Sequence, residues 1–174
     1  MKKNIVLKLL LLISLTLNAQ VESEMEYKKV SPKDSVDVSK AFQKLFNAIE
    51  NKDKKVFLEL TLNKVDCANC SNTMKMVDYV SNKDLYKNQF KNFENSAVYK
   101  AFKKRGYHIS CMEIKDYKPE NLPKSDSKDL ILFEVWIQTY LPNEWAEGQE
   151  GQSNTFQFVK INNEYKLYGL SSIP

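Results

Sequence analysis

The sequence predicts an α+β fold, with N-terminal helices packed on a mostly antiparallel sheet. Two observations point there. Residues 129–172 read as three strands in close succession. DLILFEVWIQTYL sets Ile131, Phe133, Val135 and Ile137 against Leu130, Leu132, Glu134, Trp136, Gln138 and Tyr140; SNTFQFVKI follows, and EYKLYGLSS closes the series. Period-two alternation rich in aromatic and β-branched residues marks a strand. Asn162-Asn163, between the last two runs, tolerates the positive φ of a tight hairpin. Upstream, apolar residues instead recur at spacings of three and four, the helical period. Helical runs followed by strand runs, without βαβ alternation, argue for α+β over a parallel sheet.

The chain opens on MKKNIVLKLLLLISLTLNAQ: the pair Lys2-Lys3, an apolar run from Leu9 to Leu17, and small Ala19 before Gln20. This is the pattern of a secretory signal peptide covering residues 1–19. The run is shorter than the about 20 residues that span a bilayer, so no membrane insertion is expected after cleavage. Residues 20–35 are polar and aperiodic, include Ser31-Pro32, and read as a flexible lead-in. From about Ser35, Val38, Ala41, Phe42, Leu45, Phe46, Ala48 and Ile49 form one helical stripe. Asp53 can cap a short second helix carrying Val56, Phe57 and Leu60. Met74–Val80 reads as a short strand and Asp84–Arg105 as the longest helix, with Gly106 as its stop. Tyr107–Tyr117 alternates like a strand, and 118–128, with two prolines, is a loop. Residues 36–174 form one domain.

Charge excludes one class of partner. The whole chain has 26 basic and 22 acidic residues, but the leader holds Lys2, Lys3 and Lys8 and no acid, leaving 23 against 22. A mature chain of net +1 gives no reason to expect a nucleic acid or an anionic membrane.

Two packing patterns, AFQKLFNAIENKDKKVFLEL near the start and FVKINNEYKLYGLSS at the end, together with the order helix, short helix, short strand, long helix, antiparallel strands, resemble the NTF2-like superfamily over about residues 36–174. The resemblance implies a curved sheet wrapped on helices as a cone with an internal pocket. It also implies a homodimer through the outer sheet face, here with Trp136 and Tyr140, since aromatics are enriched at such interfaces. It leaves the chemistry open, because the family holds isomerases, dehydratases, small-molecule binders and interaction modules. The ending Asn18-Ala19-Gln20 is similar to signal peptides of the Bacteroidetes and implies a periplasmic or extracellular protein.

Cys67-Ala68-Asn69-Cys70 is the sharpest local feature. In an exported chain the pair reads as a local disulfide. A redox site would need a lowered thiol pKa, and Asp66 beside the pair disfavours the thiolate. Another alternative is a Cys₃His zinc site of Cys67, Cys70, His108 and Cys111. It needs a β-bulge, because residues three apart on a strand point to opposite faces. Cys111 could also pair with Cys67 or Cys70.

By the family resemblance, an isomerase would place a carboxylate near Asp78. Glu113, Asp116 and Glu134 are further pocket carboxylates, each reading first as a solvated strand residue. Four glycines leave no phosphate-binding loop, no Ser-His-Asp or HExxH pattern occurs, and no cofactor is expected. The expectation is a non-enzymatic exported domain binding a small apolar molecule or a protein partner. Its pocket would be lined by Phe42, Phe46, Phe90, Phe93, Phe133 and Val135. The alternative is an isomerase- or dehydratase-like enzyme with Asp78 or Glu113 as general base.

Overall fold

A computed structural model describes residues 24–67, 70, 79–123 and 128–173. Its elements run β1 (Met25–Lys28), α1 (Pro32–Glu50), α2 (Lys54–Glu59), β2 (Thr61–Asp66), β3 (Tyr79–Ser81), α3 (Asn82–Gln89), a 3₁₀ turn (Phe93–Asn95), α4 (Ala97–Arg105), β4 (His108–Ile114), β5 (Leu130–Tyr140), β6 (Gln152–Ile161) and β7 (Glu164–Ile173). The class is α+β. The strands form one seven-stranded sheet in the order β1-β4-β5-β6-β7-β2-β3. Every neighbouring pair is antiparallel except β2 with β7. The expected leader lies outside the described residues.

The β6–β7 hairpin forms as its residues dictate. Asn162 and Asn163 take φ of 49° and 65°, the left-handed pair a two-residue turn requires. Helix α1 begins earlier than its apolar stripe suggests. Ser31 caps it by accepting from the Asp34 main-chain N–H, and Pro32 occupies the first turn. Residues expected as lead-in thus hold a helix start and the edge strand β1.

The expected long helix over residues 84–105 is instead two helices and a 3₁₀ turn. Ser96 takes extended φ/ψ and caps α4 by accepting from the Tyr99 N–H at 3.1 Å. The break lets Phe90 and Phe93 meet edge to face, with centroids 5.1 Å apart, over the same part of the core. Among the described residues the longest helix is α1, at 19 residues. Gly106, with φ of 74°, ends α4 as expected.

Helices cover one face of the sheet. There Phe133, Val135 and Ile137 join Phe42, Phe46, Phe156 and Phe158 in the main core. Ile131, expected on that covered stretch, is 44% exposed near the strand's start. The opposite face is not simply polar. Leu130 and Leu132 pack with Leu62, Val159 and Tyr168 in a second, smaller cluster.

Candidate functional site

Ring packing decides how much room the interior keeps. Phe42, fully buried, has the rings of Phe46, Phe102, Tyr107 and Phe156 at centroid distances of 5.4, 5.6, 4.8 and 5.4 Å. Rings of this size, each burying roughly 150–250 Å², fill the middle of the fold. Phe42, Phe46 and Val135, expected to line a pocket, are core instead.

Room remains at one end of β6 and β7. A cavity of about 200 Å³ lies between Phe90, Phe93 and Val98 of the α3–α4 region and Phe156 and Leu170 of the sheet. Asn154, Thr155, Ser171, Ser172, Ser96 and Gln89 give it polar edges. Phe90 and Phe93 are the two expected lining residues found there. Phe133 lines a different and wider hollow of about 480 Å³ at the Asn162 end of the hairpin, with Asp34 and Lys160. The hydroxyl oxygen of Thr155 is buried without a hydrogen-bond partner among the described residues.

Cys67 and Cys70 form the expected disulfide, with Cα atoms 5.2 Å apart. Both line the cavity, and the Cys70 N–H donates to the Cys67 carbonyl at 2.9 Å. The bridge therefore forms part of the cavity wall. It also overturns the zinc set and the pairing of Cys111 with either partner. Cys111 is a free, buried thiol, its pKa raised first by burial and then by Asp34. It pairs with Phe133 across β4–β5, facing the helices, whereas His108 pairs with Trp136 and stacks on it at 6.1 Å. Alternation along the strand puts the two on opposite faces. Among the described residues no three His, Cys, Asp or Glu side chains come together as a metal site.

The carboxylates fall differently than expected. Asp78 lies outside the described residues. Glu113 is ion-paired with Lys28 of the neighbouring strand β1 and does not line the cavity. Glu134 is only 3% exposed, a correction to its reading as solvated. Its two oxygens accept from Ser110 Oγ at 3.1 Å and Gln157 Nε2 at 3.1 Å. Trp136 Nε1 donates to the same Ser110 hydroxyl at 2.9 Å. This row runs along the uncovered face, where Ser110 and Gln157 flank Glu134 in register. Tyr140 follows a register shift after Gln138 and packs with Trp145 at 6.4 Å.

Sequence reasoning missed Asn154, Thr155, Phe156, Leu170 and Ser171 as lining residues. All sit in strands it recognised, but which end of a strand meets an unfilled space depends on rings from three other elements. No model of a known protein family matches the chain, and no curated protein sequence matches it.

Proposed function

We propose that the chain is an exported binding domain of NTF2-like type, and that its cavity receives one small apolar group. The observation that carries this reading is the space of about 200 Å³ between three phenylalanines and the disulfide. Its size suits a single ring or a short branched chain, being above an engineered cavity of about 150 Å³ that accepts benzene and below the roughly 300–1,000 Å³ of drug-sized sites. Hydroxyls and amides at its edge supply orientation. The wall residues carry amide and hydroxyl groups and a closed disulfide, with no carboxylate or imidazole among the described lining. That supports binding over acid–base chemistry. The disulfide supports an oxidising compartment.

Indole is a suitable probe. Its addition should shift the NMR signals of Val98, Phe156 and Leu170 and raise the melting temperature. Val98→Phe, which places a ring in the cavity, should abolish both responses while the fold persists. Wild-type protein that ignores indole, benzene and short alkanols alike would sink this reading.

The same reading includes a homodimer through the sheet face that no helix covers. Met25 and Tyr27 of β1 are 66% and 65% exposed. Tyr27 pairs with Met112 of the outer cluster, and Met25 with Ile114. Trp136 completes this patch, while Tyr140 is drawn toward Trp145.

A further inference from the structure

The cavity between the α3–α4 region and the ends of β6 and β7 carries one polar group whose direction is fixed. Asn154 of β6 pairs with Ile137 of β5 and with Ser172 of β7. Ile137 is fully buried in the main core, on the helix side. Residues directly opposite on neighbouring strands share a face, so the Asn154 side chain also lies on the helix side, where it lines the cavity. Thr155 and Ser171 fall in register with Trp136 and turn their side chains to the other face. Of the remaining polar lining residues, Ser96 already caps α4, and Gln89 is exposed.

Thr139 sets the direction. Its buried hydroxyl donates to Asn154 Oδ1 at 2.5 Å. Thr139 belongs to β5, whereas the strand residues lining the cavity come from β6 and β7, and β6 lies between the two. With its carbonyl oxygen held toward β5, the planar amide turns its N–H₂ the other way, toward β7 and the cavity. Asn154 Nδ2 donates no hydrogen bond among the described residues. The rest of the wall is Phe90, Phe93, Val98, Phe156, Leu170 and the disulfide, with no charged side chain in the described lining.

We propose that the cavity selects a small neutral ring compound bearing a carbonyl oxygen, with Asn154 as the specificity-determining residue and Thr139 as its positioning residue. This rests on the cavity being a binding site, and adds the polar atom its ligand must carry. The ring fits among the three phenylalanines. An oriented donor calls for an acceptor, because an apolar ligand that covers Nδ2 strips it of water and gives nothing back. A carbonyl oxygen accepts without bringing a donor that needs a partner of its own. A carboxylate would leave water with no cation in the described lining to meet it, and an ammonium group would find no carboxylate there.

NMR titration of the full mature chain, its disulfide closed, with acetophenone, α-methylstyrene and benzoate tests this. α-Methylstyrene keeps the shape of acetophenone with a methylene in place of the oxygen. The apolar walls should hold it too, so the readout is how each ligand responds to substitution. Acetophenone should move the Asn154 side-chain N–H₂ signals downfield, as a hydrogen bond does, and α-methylstyrene should not. Asn154→Leu should weaken acetophenone by about fivefold or more and leave α-methylstyrene bound as tightly or tighter. Thr139→Val, which keeps the amide but frees it to turn, should weaken acetophenone alone. Benzoate should bind at least about tenfold more weakly than acetophenone. Four results would each overturn the carbonyl assignment while the cavity reading stands: wild-type Asn154 signals that ignore acetophenone, unchanged acetophenone affinity in Asn154→Leu, equal loss of both neutral ligands in either variant, or benzoate bound as tightly as acetophenone. Binding of neither neutral ligand would overturn both.

Discussion

Asp34 shows how one side chain links helix, sheet and pH. Its carboxylate accepts from Ser31 Oγ at 2.6 Å, Tyr165 OH at 2.5 Å and Lys160 Nζ at 3.1 Å. Those bonds, Ser31 first, bring its pKa from 3.8 down to about 2. The Tyr165 hydroxyl moves the other way, raised by burial first and then by its bond to Asp34. Because the folded value of Asp34 lies below the unfolded one, its contribution is present above pH 3.8 and drains away as the pH falls through about 2. At about 1.4 kcal/mol per pH unit the shift corresponds to a few kcal/mol. With the side chain 26% exposed, solvent screening reduces this to about 1 kcal/mol. Asp34→Asn should therefore lose about 1 kcal/mol at neutral pH and almost nothing near pH 2. Urea midpoints at the two pH values check this, and a loss equal at both would remove the carboxylate from the account. Nothing local in Ser31-Pro32-Lys33-Asp34 announces Tyr165 or Lys160, which lie more than a hundred residues on. By composition the stretch reads as flexible lead-in, although serine, then proline, then an acid is a helix-start pattern.

At the scale of elements, the parallel contact of β2 with β7 is the exception in the mostly antiparallel sheet that the sequence predicts. Two irregularities meet at Gly169: it pairs with Asp66 of β2 and with Gln157 of β6, and both ladders shift register beside it. A Cβ at this position would stand 2.7 Å from Gln157 Oε1 and 3.2 Å from the Asp66 carbonyl. The first clash can be relieved by turning a side chain, but that would pull Gln157 from Glu134. The second is with main chain. Gly169→Ala should cost about 1–3 kcal/mol and weaken amide-exchange protection in β2 more than in β4. Unchanged stability would show that the strands slide to make room. The break between α3 and α4 was likewise hidden. Apolar spacing continues from Leu85 to Phe102, and only Asn92 and Asn95-Ser96 signal the interruption.

For the whole molecule, the proposed dimer makes a direct demand. Light scattering of the mature chain should give twice the monomer mass, and Tyr27→Glu, which places a charge on an exposed position of the patch, should halve it. A wild-type monomer at high concentration counts against the proposal. Trp136 is the poorer probe, since its indole also bonds Ser110 beside buried Glu134, and its loss would disturb the fold.

The sequence by itself determined what depends on near neighbours: the α+β class, the strands of the C-terminal half, the Asn162-Asn163 turn and the Cys67–Cys70 bridge. Each follows from a period, a tolerated φ or a four-residue loop. Only the tertiary structure decided that Phe42 and Phe46 fill the interior while Phe90 and Phe93 border a space. It also decided that Glu134 is buried on the uncovered face and that Trp145 stands open against Tyr140. The physical reason is that a cavity or a groove is what remains after volumes from several distant elements are packed, and no local pattern carries that difference.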